Sequence, residues 1–238
     1  MSTQYANGKI VTSGLVLALD AADRNSYPGS GTTWNDMSGN GNNGTLTNGP
    51  TFNSANGGSI VFDGTNDFCQ FGNLTTLNNM TVQMTVKVLS NSGGFRAFIG
   101  ATGASGNDYD SGFNIDMQAG ATSNFSICSF EGGILRLSGG FNFMTSNVSF
   151  GTWANICFSI SSTYIQFYLY GNPQLGTNRL NNATSTIGMN SLVVGCRPYT
   201  KPSTSINSNI SNVQIYNRAL SAQEVLQNYN AQKSRFNL

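Results

Sequence analysis

Between Thr81 and Val88 the chain alternates without a slip. Val82, Met84, Val86 and Val88 are apolar, and Thr81, Gln83, Thr85 and Lys87 are polar. Successive side chains of a strand point to opposite faces, so a period of two predicts a half-buried strand. The same period sets Ala154, Ile156, Phe158 and Ile160 inward. It then sets Ile165, Phe167 and Leu169 inward, with Tyr164, Gln166, Tyr168 and Tyr170 outward. Shorter runs bounded by Gly, Ser or Asn read as further strands at 15–19, 59–62, 95–99, 112–117, 124–130, 134–137, 192–195 and 210–216.

One segment follows a helical pattern instead. Ser221 stands three residues before Glu224, the spacing of a capping box. Leu220, just before the cap, is placed to pack on Val225 as a hydrophobic staple. Val225, Leu226 and Tyr229 form a narrow apolar stripe, and the helix is predicted to end near Ala231. Lys233 and Arg235 follow, and cations suit a helix C-terminus. Residues 20–49 are polar, carry Trp34 and an Asn/Gly run at 39–44, and read as a long ordered loop with short strands. Many strands separated by turn clusters, and one helix at the end, predict an all-β sandwich of two antiparallel sheets.

Composition narrows the chemistry. The 238 residues suit one domain, 1–238. Charged residues are 9% of the chain, against about 25% in ordinary soluble proteins, so Asn, Ser, Thr and Gly carry the polarity. The net charge is +1 and the 11 basic residues are scattered. Phosphate backbones need a dense positive stripe, so a nucleic-acid partner is not expected. No apolar run approaches the roughly 20 residues that span a bilayer. Residues 1–19 lack a basic region followed by an apolar stretch and a small-residue cleavage site, so no secretory signal is expected. Cys69, Cys128, Cys157 and Cys196 match no metal-knuckle spacing and read as reduced, buried thiols. There is no histidine, which removes Ser-His-Asp and Cys-His catalysis and histidine metal ligation.

Four stretches carry a family pattern. They are Trp34 through Leu46, Ile60 through Asp67, Gly151-Thr152-Trp153 leading into a strand, and Ile210 through Glu224 with its Arg218-Ala219-Leu220 corner. Together they resemble the concanavalin A-like lectin/glucanase superfamily in its laminin-G-like branch, over about residues 14 to 236. The resemblance implies a two-sheet jelly roll with a carbohydrate or protein partner on the concave face or the rim loops. The family's Asn-Gly turn is Tyr170-Gly171 here. The Asn/Gly-rich wording is similar to that of structural proteins of tailed bacteriophages. That likeness implies a non-enzymatic virion component, a capsid decoration or fibre subunit, made in the host cytoplasm. It would bind copies of itself or other virion proteins, with host glycans as a further partner. The alternative is a stand-alone lectin-like carbohydrate-binding module.

Candidate sites follow. Glycoside hydrolysis needs two carboxylates flanking the sugar bond. The chain has two glutamates, Glu131 and Glu224; Glu224 is engaged as a cap, and Asp108 and Asp110 sit in a Gly/Ser-rich loop. No catalytic set is therefore assigned. Tyr164, Tyr168 and Tyr170, with Gln166 and Asn172 as amide partners, are the candidate carbohydrate platform. No cofactor is required by this reading. Calcium is the candidate metal, because its oxygen ligands are present at Asp63, Asn66 and Asp67 and again at Asp20, Asp23 and Asp36. The alternative for the first set is that Asp63-Gly64 is a turn and Asp67 caps nearby amides. Residues 2–13 and 234–238 fall outside the strand pattern, and one of them is expected to contact a neighbouring subunit in a homo-oligomer.

Overall fold

The computed structural model describes residues 4–5, 8–91, 93–104, 106, 112–117, 124–125, 128–132, 148–174, 178–179, 186–198 and 200–238. For 4–5, 124–125, 128–132 and 178–179 the backbone alone is described. Every strand pair among these residues is antiparallel.

Two large sheets form the sandwich. The nine-stranded sheet runs Asn172–Pro173, Tyr164–Leu169, Trp153–Ile160, Met80–Ser90, Asn207–Tyr216, Ser59–Asp63 and Thr51–Asn53. Leu15–Asp20 pairs with the second half of Asn207–Tyr216, and Asn178–Arg179 pairs with Tyr164–Leu169. The seven-stranded sheet runs Cys128–Gly132, Phe113–Met117, Arg96–Thr102, Asn190–Val194, Phe68–Gln70, Gly44–Thr47 and Thr33–Trp34. The expected jelly-roll β-sandwich is the observed fold.

The core lies between the sheets. Val82, Met84, Val86, Ile156, Phe158, Ile165, Phe167, Val213 and Ile215 come from the larger sheet, and Phe98, Phe113, Ile115, Leu192 and Val194 from the smaller. Phe158 and Phe167, cross-strand partners, sit with ring centroids 4.8 Å apart. Burying each such side chain contributes about 1.5–3 kcal/mol, which fixes the register against a one-residue slip.

The outer face of the larger sheet departs from expectation. The polar row Thr81, Gln83 and Thr85 is buried, not half-exposed. The cause is the helix Ala222–Gln232, which lies over it and buries Val225, Asn228, Ala231 and Gln232. Its capping box is present as expected, and Leu220 and Val225 share one buried cluster. The helix runs one residue beyond Ala231 and tightens into a 3-10 turn, Lys233–Phe236. Neither chain end is loose where described. Phe236 packs on Trp153 with centroids 4.7 Å apart, and Val11 is tied to Asn228 and Tyr216.

Candidate functional site

The Asn/Gly run at 39–44 is held against the first long strand by one carboxylate. Asp36 Oδ1 accepts the N–H groups of Ala18 and Ser38, both at 2.9 Å. Its Oδ2 accepts the Ser38 hydroxyl at 2.7 Å and the Asn42 N–H at 3.0 Å. Gly39 and Gly41 adopt φ of 92° and 73°, which glycine reaches without strain and which lets the loop fold back on the strand. Two side chains then converge on one carbonyl: Asn40 Nδ2 and Asn42 Nδ2 donate to Val16 O at 3.1 and 2.9 Å.

Opposite this loop stands the segment 73–77. Asn73 Oδ1 accepts the N–H of Ser191 at 2.9 Å, and Leu74 and Leu77 bond backbone to backbone with Met189 and Ile187. Between the two walls lies a cleft of about 430 Å³, lined by Leu15, Val16, Leu74 and Leu77 and by Asn40, Asn42, Asn73, Thr75 and Asn217. Gly14 completes it: a Cβ there would stand 2.6 Å from Asn217 Oδ1.

Three amides of this cleft, Asn40, Asn42 and Asn73, are used by half. Asn40 and Asn42 spend their NH₂ groups on strand carbonyls, which leaves both Oδ1 atoms without a partner among the described residues. Asn73 spends its Oδ1 and leaves its NH₂ group open. Tethering one half of an amide fixes the direction of the other. The cleft thus presents oriented acceptors and donors over a leucine and valine floor, with no ionisable side chain in its lining.

The expected tyrosine platform takes another form. Tyr168 is 5% exposed, buried with Val11, Cys157, Tyr216, Leu220 and Val225 beneath the helix, and burial pushes its hydroxyl up to about 12. Tyr170 has left the strand. Leu169 pairs with Asn172, and Tyr170 and Gly171 between them have φ of 54° and 73°, a two-residue hairpin turn. Its hydroxyl donates to Trp153 O at 3.3 Å. Tyr164 stays at the surface at 37% exposure, Gln166 bonds Phe167 O and Gln174 O, and Asn172 is exposed. The five residues form no continuous ring face, because the helix covers the middle of the row and the turn removes its end.

The carboxylates proposed for calcium serve the backbone. Asp63 Oδ1 accepts the N–H groups of Thr65 and Asn66, and the first of these bonds holds its carboxyl below the usual range. Asp67 is buried, accepts the Asp63 N–H at 3.1 Å, and is raised by desolvation. Asn66 gives its carbonyl to Asn48 Nδ2 at 2.8 Å. Asp20 is paired with Arg235, and Asp23 accepts from Asn25. Among the described residues, no group of three or more Asp, Glu, His or Cys side chains converges as a metal site.

A second polar centre lies on the outer face of the seven-stranded sheet. Residues 195–198 and 200–206 cross that face, with Pro198 set against Gly100. Arg197 pairs there with the fully buried Asp116, and Lys201 donates to Gln70 Oε1 at 2.6 Å. Arg197 also stacks on Phe95, and Lys201 on Phe68. These cations hold a loop on a sheet. Glu131 stands opposite Asn114 in the register; its side chain, and Asp108 and Asp110, lie outside the described residues. Cys69, Cys157 and Cys196 are buried free thiols, raised by desolvation, as expected; the Cys128 side chain lies outside the described residues.

Comparison with known proteins places this geometry. No curated protein sequence matches the chain. Among solved structures, it is similar to a Trypanosoma rangeli sialidase in complex with sialic acid, with a TM-score of 0.69 and 14% identity over 96% of this chain and 34% of that one. It is similar to the binding domain of Paraclostridial Mosquitocidal Protein 1, with a TM-score of 0.68 and 15% identity over 92% of this chain and 52% of that one. It is also similar to domain 4 of AbnA, an extracellular arabinanase from Geobacillus stearothermophilus, in complex with arabinotriose. There the TM-score is 0.63 and the identity 18%, over 91% of this chain and 98% of that one. The chain thus spans well under two thirds of the first two chains, and at these identities the likeness is one of fold. A laminin G-type family model, described as concanavalin A-like lectin/glucanases superfamily, matches residues 63–226. That match covers more than half of the sequence, and the chain belongs to the concanavalin A-like lectin/glucanases superfamily.

Proposed function

We propose that this protein is a non-enzymatic carbohydrate-binding module that holds a sugar in the asparagine-lined cleft beside residues 14–16. The observation that carries the reading is the half-tethered state of Asn40, Asn42 and Asn73, which leaves fixed acceptors and donors above an apolar floor. A sugar ring has the matching surface, with hydroxyls that donate and accept and a C–H face that packs on leucine. A pocket of about 300–1,000 Å³ suits a small ligand, and this cleft falls within that range. The family membership and the arabinanase domain solved with arabinotriose support the same reading. The site needs no metal, so chelation should leave binding unchanged.

The test is a glycan array probed with the purified chain, followed by titration calorimetry on each hit. Asn42→Ala combined with Asn73→Ala should abolish the signal, while circular dichroism stays as in the parent. Binding that is unaffected by this pair, or no hit on a broad array, would overturn the assignment.

The sequence resemblance adds a location to this reading: a capsid-decoration or fibre component binding neighbouring subunits and host glycans. Many copies on one particle would raise a weak sugar contact by avidity. Antibody-gold labelling of particles purified from the source tests it. Regular labelling supports the virion role, and absence from every particle rejects it and leaves the free module.

A further inference from the structure

Resting on that reading of the cleft, we infer that its ligand is an uncharged saccharide and that it rejects carboxylated sugars such as uronic and sialic acids. None of the ten lining residues is ionisable. Two of the open groups, Asn40 Oδ1 and Asn42 Oδ1, are carbonyl oxygens, which attract a hydroxyl proton and repel a carboxylate. The cation beside Gly14 is already neutralised. Arg218 lies beside Gly14, where a Cβ would meet its Cδ at 3.2 Å. Its guanidinium is bidentate to Glu224, at 3.0 and 2.6 Å, and also donates to Ser13 O at 3.0 Å. A carboxylate entering the cleft would lose water and gain no countercharge, and an unpaired charge is far costlier to desolvate than a hydroxyl that finds an amide. Selectivity here comes from the absence of charge, and binding should depend little on pH or salt because there is no ion pair to titrate or screen.

The experiment uses matched probes on the full chain: galactose against galacturonic acid, and glucose against glucuronic acid, with N-acetylneuraminic acid added. Each pair differs only in the oxidation of C6. Side-chain amide signals of Asn40, Asn42, Asn73 and Asn217 are followed by NMR during titration. The neutral member of at least one pair should shift these signals and bind at least about tenfold tighter than its acid, since a site built for hydroxyls discriminates strongly. Its affinity should change less than about twofold between pH 5 and 8 and between 50 and 500 mM NaCl. Asn73→Asp keeps the acceptor for Ser191 and the side-chain shape but removes the open donors, and should lower neutral-sugar affinity about tenfold without loss of fold. Gly14→Ala should push the Asn217 amide into the cleft and weaken binding independently. An acid that binds as tightly as its neutral partner, at the same four amides, overturns the ligand class and spares the site. No shift at these amides with any saccharide, or shifts confined to Tyr164 and Asn172, overturns both.

Discussion

The protein uses neutral amides in two places and to opposite ends. Beneath the C-terminal helix they are sealed, and those around Asn228 are spent on one another. Asn228 donates to Gln83 Oε1 and to the Tyr216 hydroxyl and accepts from Val11 N–H. Gln83 passes the chain on to Asn155, and Asn155 to Thr85. In the cleft at the N-terminal edge, Asn40, Asn42 and Asn73 keep half of each amide open. Neither the network around Asn228 nor the cleft lining holds a charged side chain, so what separates scaffold from candidate site is whether the second half of each amide has found an internal partner. Buried and fully paired, the amides fix the helix on the sheet. Half-paired at the surface, they are poised for an outside group.

Breaking the sealed side should cost the most. Arg235 closes the end of the helix-covered face, with Nη1 2.9 and 3.0 Å from the Asp20 carboxylate and Nη2 2.7 Å from Ser211 Oγ. Arg235→Ala takes the guanidinium away from a buried carboxylate and should lower stability by about 3 kcal/mol. Asn228→Leu removes three hydrogen bonds and leaves Val11 N–H and Gln83 Oε1 unmatched, at a cost of about 2–3 kcal/mol. Urea denaturation measures both, and a loss under about 1 kcal/mol in either would mean the network is not what holds the helix. One turn along the same helix, Gln232 is buried with neither amide atom bonded. Asn212 and Gln214 on the strand below are in the same state. Gln232→Met should therefore change stability by less than about 1 kcal/mol, against the larger loss at Asn228. On the open side, Asn42→Ala gives up one bond to Val16 O and should cost about 1 kcal/mol while removing sugar binding. If Asn42→Ala cost as much stability as Asn228→Leu, the distinction between the two regions would be erased.

The legible part of the fold was the part with a period. Thr81 to Val88 and the inward row 154–160 alternate over four pairs, long enough for burial to show through the sequence. Thr33–Trp34, Gly44–Thr47 and Phe68–Gln70 hold two to four residues each, too few for alternation to register, so one end of the smaller sheet was legible only as short strands within a long loop at 20–49, and Phe68–Gln70 was unread. The helix was legible because a capping box is a local signal. The tyrosine row failed for two separate reasons. Alternation does assign Tyr164, Gln166 and Tyr168 to one face, but no periodicity within a strand reports what another element lays over it. At Tyr170 the turn, marked by Gly171, begins one residue earlier than the pattern implied. The cleft was visible only as a run of turn-forming residues at 39–44. Its other wall, from Asn73, and the amide of Asn217 are distant in sequence, and which half of an asparagine is tied down is written in the packing alone.

Charge enters the sealed region at both ends of the helix, and at its start it gives the smallest and most selective test. Glu224 accepts from the Ser221 N–H at 2.9 Å and from the Arg218 guanidinium at 2.6 and 3.0 Å. The bond from Arg218 comes first in holding its carboxyl down, from the ordinary 4.5 to about 2. A carboxylate whose folded pKa is depressed adds stability above its unfolded pKa and loses it as pH falls through the folded value. The increment should thus be whole at pH 7, shrink below about pH 4.5 and be gone near pH 2. Arg218 stays charged throughout, so the proton goes to Glu224. Glu224→Gln should be less stable than the parent at pH 7 and converge with it at about pH 2. Other carboxylates titrate in both chains, Asp63 lowered and Asp67 raised, so the difference between the two urea midpoints isolates Glu224. Half-buried and open to solvent screening, the pair should contribute less than the amide network above it. Midpoints that fall in parallel over the whole range would show that the helix start is held by its neutral caps alone, and that charge plays no part in sealing this end of the face.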